Sequence, residues 1–535
     1  MNLFGEKSKL YKLMSAEKKL NANGFQLCKL LAEAETAENI EPKTQMINVA
    51  GVGSVVSAAY EQLRNAAEYA QEHLLIQNAI RRFYVRSISF HNHSTVGKTL
   101  AEELIIELTQ SGYLKNNTQP VEIVSKLGHI IHGHYSNYWR LKASGVDERT
   151  ARNWTLDLLS RESENILAEN TVQNIYLQFA YHHYTSILDE KSFVPKDDGG
   201  MNFEVSLYIA VHRALFKSDL ATVRFDMQSL YKISDKNINE YADFHKNIDD
   251  LFSSDITNQI TQYINKYGAP LRILRSMIKD EDKITEILPD SRRFDSVYSD
   301  QIRREYKYSE SKLNKGLLKS IIFLLITKTL VGLAIEIPYD LLMTGAILIV
   351  PVIVNLFTPV LYLVILRLGF KLPGSTNARA IRLYAEDMLY GDQTNKSLYP
   401  KVKHKKYPVG FTIAYTLSFM IVFALVIYVL MLAGFNLVNG LIFFVFLAAA
   451  SFLGFRLSRI VRELELVVVR PGLISTIQEL IFTPFTFLGK WISDKYQKVN
   501  IVALVLDTLI ELPLKTGLRL IRQWTGFLDD MKDQF

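Results

Sequence analysis

"LLKSIIFLLITKTLVGLAIEI", Leu317 to Ile337, decides how this chain is built. As a helix the stretch rises about 30 Å, the thickness of a bilayer's hydrocarbon core. Three further runs have the same character: Met343–Leu368 ("MTGAILIVPVIVNLFTPVLYLVILRL"), Phe411–Leu432 ("FTIAYTLSFMIVFALVIYVLML") and Leu437–Phe455 ("LVNGLIFFVFLAAASFLGF"). A buried helix of a globular core rarely sustains one such run. Four in succession predict a four-helix transmembrane bundle over 317–456.

The flanks predict its orientation. Arg303, Arg304, Lys307, Lys312, Lys315 and Lys319 precede the first run. Lys371, Arg379, Arg382, Lys401, Lys403, Lys405 and Lys406 separate the second from the third, and Arg456, Arg459, Arg462 and Arg470 follow the fourth. The other two connections, "PYDLL" and "AGFN", carry no Lys or Arg. The positive-inside rule then places both termini and the basic loop in the cytoplasm, in a multi-pass protein of the cell membrane. Lys403, Lys405 and Lys406, with Trp491 and Trp524, are the expected interface anchors, the lysines meeting anionic lipid headgroups. The net charge of +6 is thereby attributed to the membrane surface, and no nucleic-acid partner is expected.

Polar residues interrupt the apolar runs at few places. Lys328 lies about 16 Å along the first span, near mid-bilayer. A charge there costs at least about 2.5–3.5 kcal/mol, so it is expected to face other helices or water. Glu336 and Asp340 follow toward the outer end, and Asn355 lies in the second span between Pro351 and Pro359. On one reading these four residues line an ion or solute path. On the plainer and preferred reading, Lys328 is held by backbone carbonyls or snorkels, and the prolines only kink a packed helix. Ala450 and Gly454, four apart, permit close helix approach within or between protomers.

After the last run, charges recur too often for an ordinary fifth span. Asp507, Glu511, Lys515, Arg519 and Arg522 punctuate "IVALVLDTLIELPLKTGLRLIRQWTGFLDDMKDQF". Amphipathic helices lying at the cytoplasmic interface are expected over 457–535. A fifth crossing near 501–514 is the alternative, and it requires Asp507 and Glu511 to be buried.

Residues 1–300 read almost wholly as helix. "SVVSAAYEQLRNAAEYAQEHLLIQNAIRRFYVR" (Ser54–Arg86) predicts one long amphipathic helix, and "SDLATVRFDMQSLYKI" predicts another with Ser218 as its cap. Strand-like alternation is nearly absent, as is a cleavable apolar leader. The single cysteine, Cys28, excludes intrachain disulfides and reads as a packed thiol.

Two stretches invite a catalytic reading. "HNHSTVGKT" (His91–Thr99) resembles the end of a phosphate-binding loop. Such a loop needs glycine where Asn92 stands, and a buried strand before it, whereas "FYVRSIS" continues a helical pattern. Gly97, Lys98 and Thr99 are therefore read as a helix start, capped by Ser94 or Thr95 and ending near Gly112. "GHIIHGHY" carries His129, His132 and His134, a weak candidate zinc set. No carboxylate stands three or four residues from them, so packed histidines are preferred. No nucleophile elbow, metalloprotease motif or Gly-rich dinucleotide loop occurs, and no cofactor is expected.

Several phrases, among them "AAYEQLRNAAEYAQEHLLIQNAIRRFYVR", "AEELIIELTQSGYLKN", "VHRALFKSDLATVR", "LITKTLVGLAIEIPYDLL" and "GKWISDKYQKVN", resemble a family of polytopic membrane proteins of reduced-genome, Patescibacteria-type bacteria. The resemblance implies a bacterial membrane location and one functional unit of both halves; it brings no catalytic residue.

The sequence thus predicts an all-α protein. A basic amphipathic arm (1–40) precedes a cytoplasmic helical domain (41–294), a basic linker helix (295–316), the transmembrane domain (317–456) and an interfacial tail (457–535). The leading functional expectation is a membrane-anchored scaffold that self-associates or holds another protein. A subunit of an oligomeric transporter or channel is second, and a metal-dependent enzyme in the helical domain third.

Overall fold

A computed structural model describes residues 18–38, 45–49, 51, 54–68, 74–90, 97–168, 171–193, 201–369, 373–391, 409–467, 482–492 and 510–532. Among these the chain is all-α, with one isolated backbone bridge, Met46 to Pro120, and no strand. The helices group into two units: 25–264 with 500–535, and 1–24 with 265–499.

The first unit holds α1 (Ala22–Glu38, shared at its start with the second unit), α2 (Ser54–Glu68), α3 (Leu75–Ser87), α4 (Gly97–Gln110), α5 (Glu122–Ala143) and α6 (Glu148–Leu167). It continues with α7 (Thr171–Ile187), α8 (Met201–Val211), α9 (Leu220–Leu230), α10 (Ile238–Phe252) and most of α11 (Asp255–Tyr267). Of the single helix expected over Ser54–Arg86, α2 and α3 are the described parts, and residues 69–73 between them lie outside the described residues. Ile80, Leu104, Leu127, Ile131, Tyr138 and Leu159, from α3 to α6, form a closed core. Each is spaced to fall on one stripe of its helix, and burying such side chains contributes about 1.5–3 kcal/mol apiece. Asp219, not Ser218, caps α9 by accepting from Thr222 N. The Ser218 hydroxyl instead meets His212 Nδ1 at 3.2 Å.

The second unit is built on one continuous helical rod. α12 (Ala269–Asp280) and the short α13 (Ile284–Ile287) lead to α14 (Ser291–Val331), which passes through a π-helical turn at Gly332–Glu336 into α15 (Ile337–Thr344). The expected linker and first span are therefore one element. Gly345, at φ 69°, ends it, so the second apolar helix begins at Ile349 rather than Met343. There follow α16 (Ile349–Gly369), α17 (Ser375–Tyr390), α18 (Val409–Leu432), α19 (Leu437–Arg462) and α20 (482–492).

Among the described residues, four helices are long and apolar enough to cross a membrane: Ser291–Thr344, Ile349–Gly369, Tyr415–Leu432 and Leu437–Arg462. Leu324, Leu363, Phe443, Phe446 and Ala450 pack between them, while Leu330, Phe357, Leu425 and Leu441 point outward. An apolar exterior around an apolar interior suits lipid. The small pair Ala450 and Gly454 is used within the chain: a Cβ on Gly454 would lie 2.5 Å from Leu366 Cδ1 on α16.

The domain limits differ from expectation in two places. Residues 265–294 belong with the apolar helices, because Phe294 stacks on Tyr298, whose hydroxyl donates to Pro270 O at 2.8 Å. The last helix, α21 (Leu512–Lys532), belongs with the amino-terminal unit, for the electrostatic reason given below.

Candidate functional site: a polar cluster among apolar helices

Among the described residues of the apolar bundle, buried polar side chains gather in a cluster. Lys328 (α14), Glu336 (π turn), Asp340 (α15), Asn355 (α16) and Asn439 (α19) are each at most 3% exposed. The Lys328 ammonium donates to Glu336 Oε2 at 3.0 Å and lies 5.0 Å from the centre of the Phe446 ring. Asn355 Nδ2 donates to Glu336 Oε1 at 2.7 Å and to Asn439 O at 3.2 Å. Asp340 Oδ1 accepts from Asn436 Nδ2 at 2.8 Å and Asn439 Nδ2 at 3.2 Å. Its other oxygen accepts from Leu348 N at 3.4 Å.

The π turn brings Lys328 and Glu336 together. Eight residues of regular α-helix advance about 800°, leaving the two side chains about 80° apart around the axis. A π turn takes up one extra residue, so the pair is separated by the equivalent of about seven, which brings them within about 20°. A helix carrying both charges on different faces would present one of them to lipid, at a cost of several kcal/mol. The bulge removes that conflict.

All four sequence candidates, Lys328, Glu336, Asp340 and Asn355, therefore meet in one place. Asn436 and Asn439 were missed. Their signal was two asparagines at the start of an apolar helix; Asn436 caps it by accepting from Asn439 N, as an N-cap asparagine does.

The histidines do not converge. His134 is buried and bonds Glu162 Oε2 at 2.6 Å, His129 is exposed with Nδ1 on Ser125 O, and His132 is exposed. Among the described residues no group of three His, Cys, Asp or Glu is placed to hold a metal. Gly97, Lys98 and Thr99 open α4, and α3, not a strand, precedes them; His91–Val96, with the expected cap, lie outside the described residues. Gly97 serves packing, since a Cβ there would lie 2.6 Å from the Gly128 carbonyl of α5. Cys28 is half-buried, and burial, with Glu35 second, raises its pKa, as befits a packed thiol. Trp491 and Trp524 are more than half exposed, whereas Lys403, Lys405 and Lys406 lie outside the described residues.

A second network, in the amino-terminal unit, was invisible in the sequence. Glu511, 1% exposed, lies 3.2 Å from Arg82 Nε and 3.6 Å from Arg64 Nε, bonds Arg86, and accepts from the Tyr60 hydroxyl at 3.0 Å. One turn on, Lys515 donates to Ser57 and Ser111 at 2.9 and 2.8 Å and pairs with Glu61 at 3.3 Å. Burial acts to raise the Glu61 pKa, but Arg82 and Lys515 outweigh it and hold the carboxyl low. The tail helix thus spends one face on protein. A fifth span ending near 514 would need Glu511 in the bilayer, and this carboxylate sits among arginines; 501–509 lie outside the described residues.

A third network crosses α6 and α9. Arg161 bonds Glu164 at 2.6 Å and lies 3.9 Å from Asp226, which is 3.7 Å from His212. Burial, against the pull of Arg161, pushes the Asp226 carboxyl up to about 6. Burial likewise pushes the His212 imidazole down to about 3.

Among the described residues, the fold and the site together define an all-α protein with four membrane-length helices around a buried polar cluster. Comparison with protein-family profiles, with curated proteins and with solved structures finds no match.

Proposed function

We propose that the chain is a multi-pass protein of the cell membrane, both termini cytoplasmic, whose apolar bundle anchors a helical scaffold. The observation that carries this reading is the closure of the Lys328–Glu336 pair. The ammonium is 3% exposed, capped by a carboxylate and an aromatic ring, which suits an anchor better than the wall of a wet path. The basic flanks support the orientation through the positive-inside rule, and the exposed Trp491 and Trp524 suit an interfacial setting. Partners in this reading are anionic lipid headgroups and a second copy or another protein held by the amino-terminal unit.

Cysteine labelling in cells and affinity capture with the full chain test it. Labelling of engineered cysteines at 345–347 from outside, protection of those in 25–264, and recovery of the same protein partner or of a second copy are the expected results. An externally labelled amino-terminal unit, or a strictly monomeric chain that retains nothing, refutes it.

A transport subunit is the second reading, favoured by the convergence of Lys328, Glu336, Asp340 and Asn355. It predicts a flux in reconstituted vesicles that Lys328→Met abolishes.

A further inference from the structure

The polar cluster of the bundle is unbalanced in charge. Among the described residues it holds one cation, Lys328, and two carboxylates, Glu336 and Asp340, which leaves one negative charge in excess. Lys328 is committed to Glu336. Asp340, with no exposed surface, meets only neutral donors among the described residues: the amides of Asn436 and Asn439 and the backbone N–H of Leu348. An unbalanced charge buried in a low-dielectric interior is strongly unfavourable, because the lost hydration is not replaced by a counter-charge.

A second, independent observation lies beside it. Asn355 and Asn439 are fully buried, and each turns its NH2 group toward a carboxylate, Glu336 and Asp340 respectively. The Oδ1 of each has no hydrogen-bond partner among the described residues. Oxygen and nitrogen of a carboxamide share one carbon, so each unmet oxygen lies beside the hydrogen bonds that its own NH2 group makes. Exchanging O and N of Asn439 does not help, because it would set an oxygen against the Asp340 carboxylate. Each unmet buried acceptor is destabilising, because it has given up its hydrogen bonds to water without replacement.

The chemistry of what would relieve both faults is narrow. A proton on Asp340 cancels the charge but, as a single donor, serves at most one oxygen. A divalent ion would overshoot to a net positive charge. A monovalent cation cancels the excess and accepts several oxygen ligands at once, which is how hard cations are bound. We propose that Asp340, Asn355 and Asn439 bind one alkali cation of the sodium class, at the end of the bundle beneath the 345–348 turn. Residues 345–347 of that turn are exposed, and the backbone N–H of Leu348 next to them meets Asp340. The ion is a structural ligand that ties α15, α16 and α19 together, and the proposal stands whether or not the anchor reading does.

The test uses the full chain in lipid nanodiscs. Thermal unfolding is followed in equal concentrations of sodium, potassium and choline chloride, and radiolabelled sodium binding is counted at equilibrium. Expected are a midpoint several degrees higher in sodium than in choline, close to one ion bound per chain, loss of both in Asp340→Asn, and weakening of both in Asn439→Ala. The proposal is overturned by equal midpoints in sodium and choline with no ion bound, by a sodium response that survives in Asp340→Asn, or by a midpoint that follows pH alike in all three salts. If Asp340→Asn does not fold, the stoichiometry of the unaltered chain and the Asn439→Ala titration decide.

Discussion

At the scale of single residues, the Lys328–Glu336 pair and the Glu511 network show one rule: a buried charge calls for a partner of opposite sign. Removing one member leaves the other uncompensated, at about 3–5 kcal/mol. Lys328→Met is therefore expected to lower the unfolding midpoint of the detergent-solubilised protein sharply, by stranding Glu336. The double variant Lys328→Met with Glu336→Gln should recover much of the loss, since neither charge then remains. Equal losses in the single and double variants would show that the pair does not act as a unit. Asp226 gives a pH prediction. Its carboxyl is raised from 3.8 to about 6 in the fold, so the folded state binds more protons than the unfolded chain between those values. Stability from this group is full below about 4 and is lost as pH rises through 6, by up to about 3 kcal/mol. Asp226→Asn should abolish that decline in chemical unfolding compared at pH 4.5 and 7. His212, pushed down to about 3, works oppositely, losing stability as pH falls below about 6.5.

At the scale of elements, helices were legible wherever the apolar spacing was regular, and their interruptions were not. The π turn at Gly332–Glu336 left no mark in the spacing of a run that is apolar on every face. Periodicity reports which face is greasy; it does not report an extra residue in one turn. Gly97 shows the same limit from the other side. Its place before Lys98 suggested phosphate chemistry, and its use is contact with Gly128. Gly97→Ala should force α4 and α5 apart at a cost of about 1–3 kcal/mol, several degrees of melting temperature, while Lys98→Ala, an exposed side chain, should leave the midpoint within a degree or so. A nucleotide that stabilises the parent chain but not Lys98→Ala would reverse this interpretation.

At the scale of the whole molecule, the last helix belongs to the unit that begins near residue 25. Glu511 and Lys515, one turn apart, face the arginines of α2 and α3 and the glutamates of α2 and α4, so charge complementarity selects the docking face. Leu520, Ile521 and Trp524 remain exposed. Glu511→Ala should release this helix by leaving Arg64, Arg82 and Arg86 without their common carboxylate. Expected are about 3–5 kcal/mol of lost stability and rapid proteolysis after residue 510, with hydrogen exchange rising in α2 and α3. Retained protection of both helices would show that the tail is held by other contacts.

The sequence by itself determined the all-α class and the four membrane-length apolar helices, because length and hydrophobicity are local properties that any window of the chain displays. It also singled out Lys328, Glu336, Asp340 and Asn355, since a polar group in a greasy run is conspicuous without knowledge of its neighbours. Only the tertiary structure decided that these four share one cluster with Asn436 and Asn439, that residues 265–294 join the apolar unit, and that Glu511 is buried among arginines of the opposite end of the chain. Those pairings join residues up to 451 positions apart, and such partners are chosen by three-dimensional packing and the cost of unpaired charge, which no local pattern records.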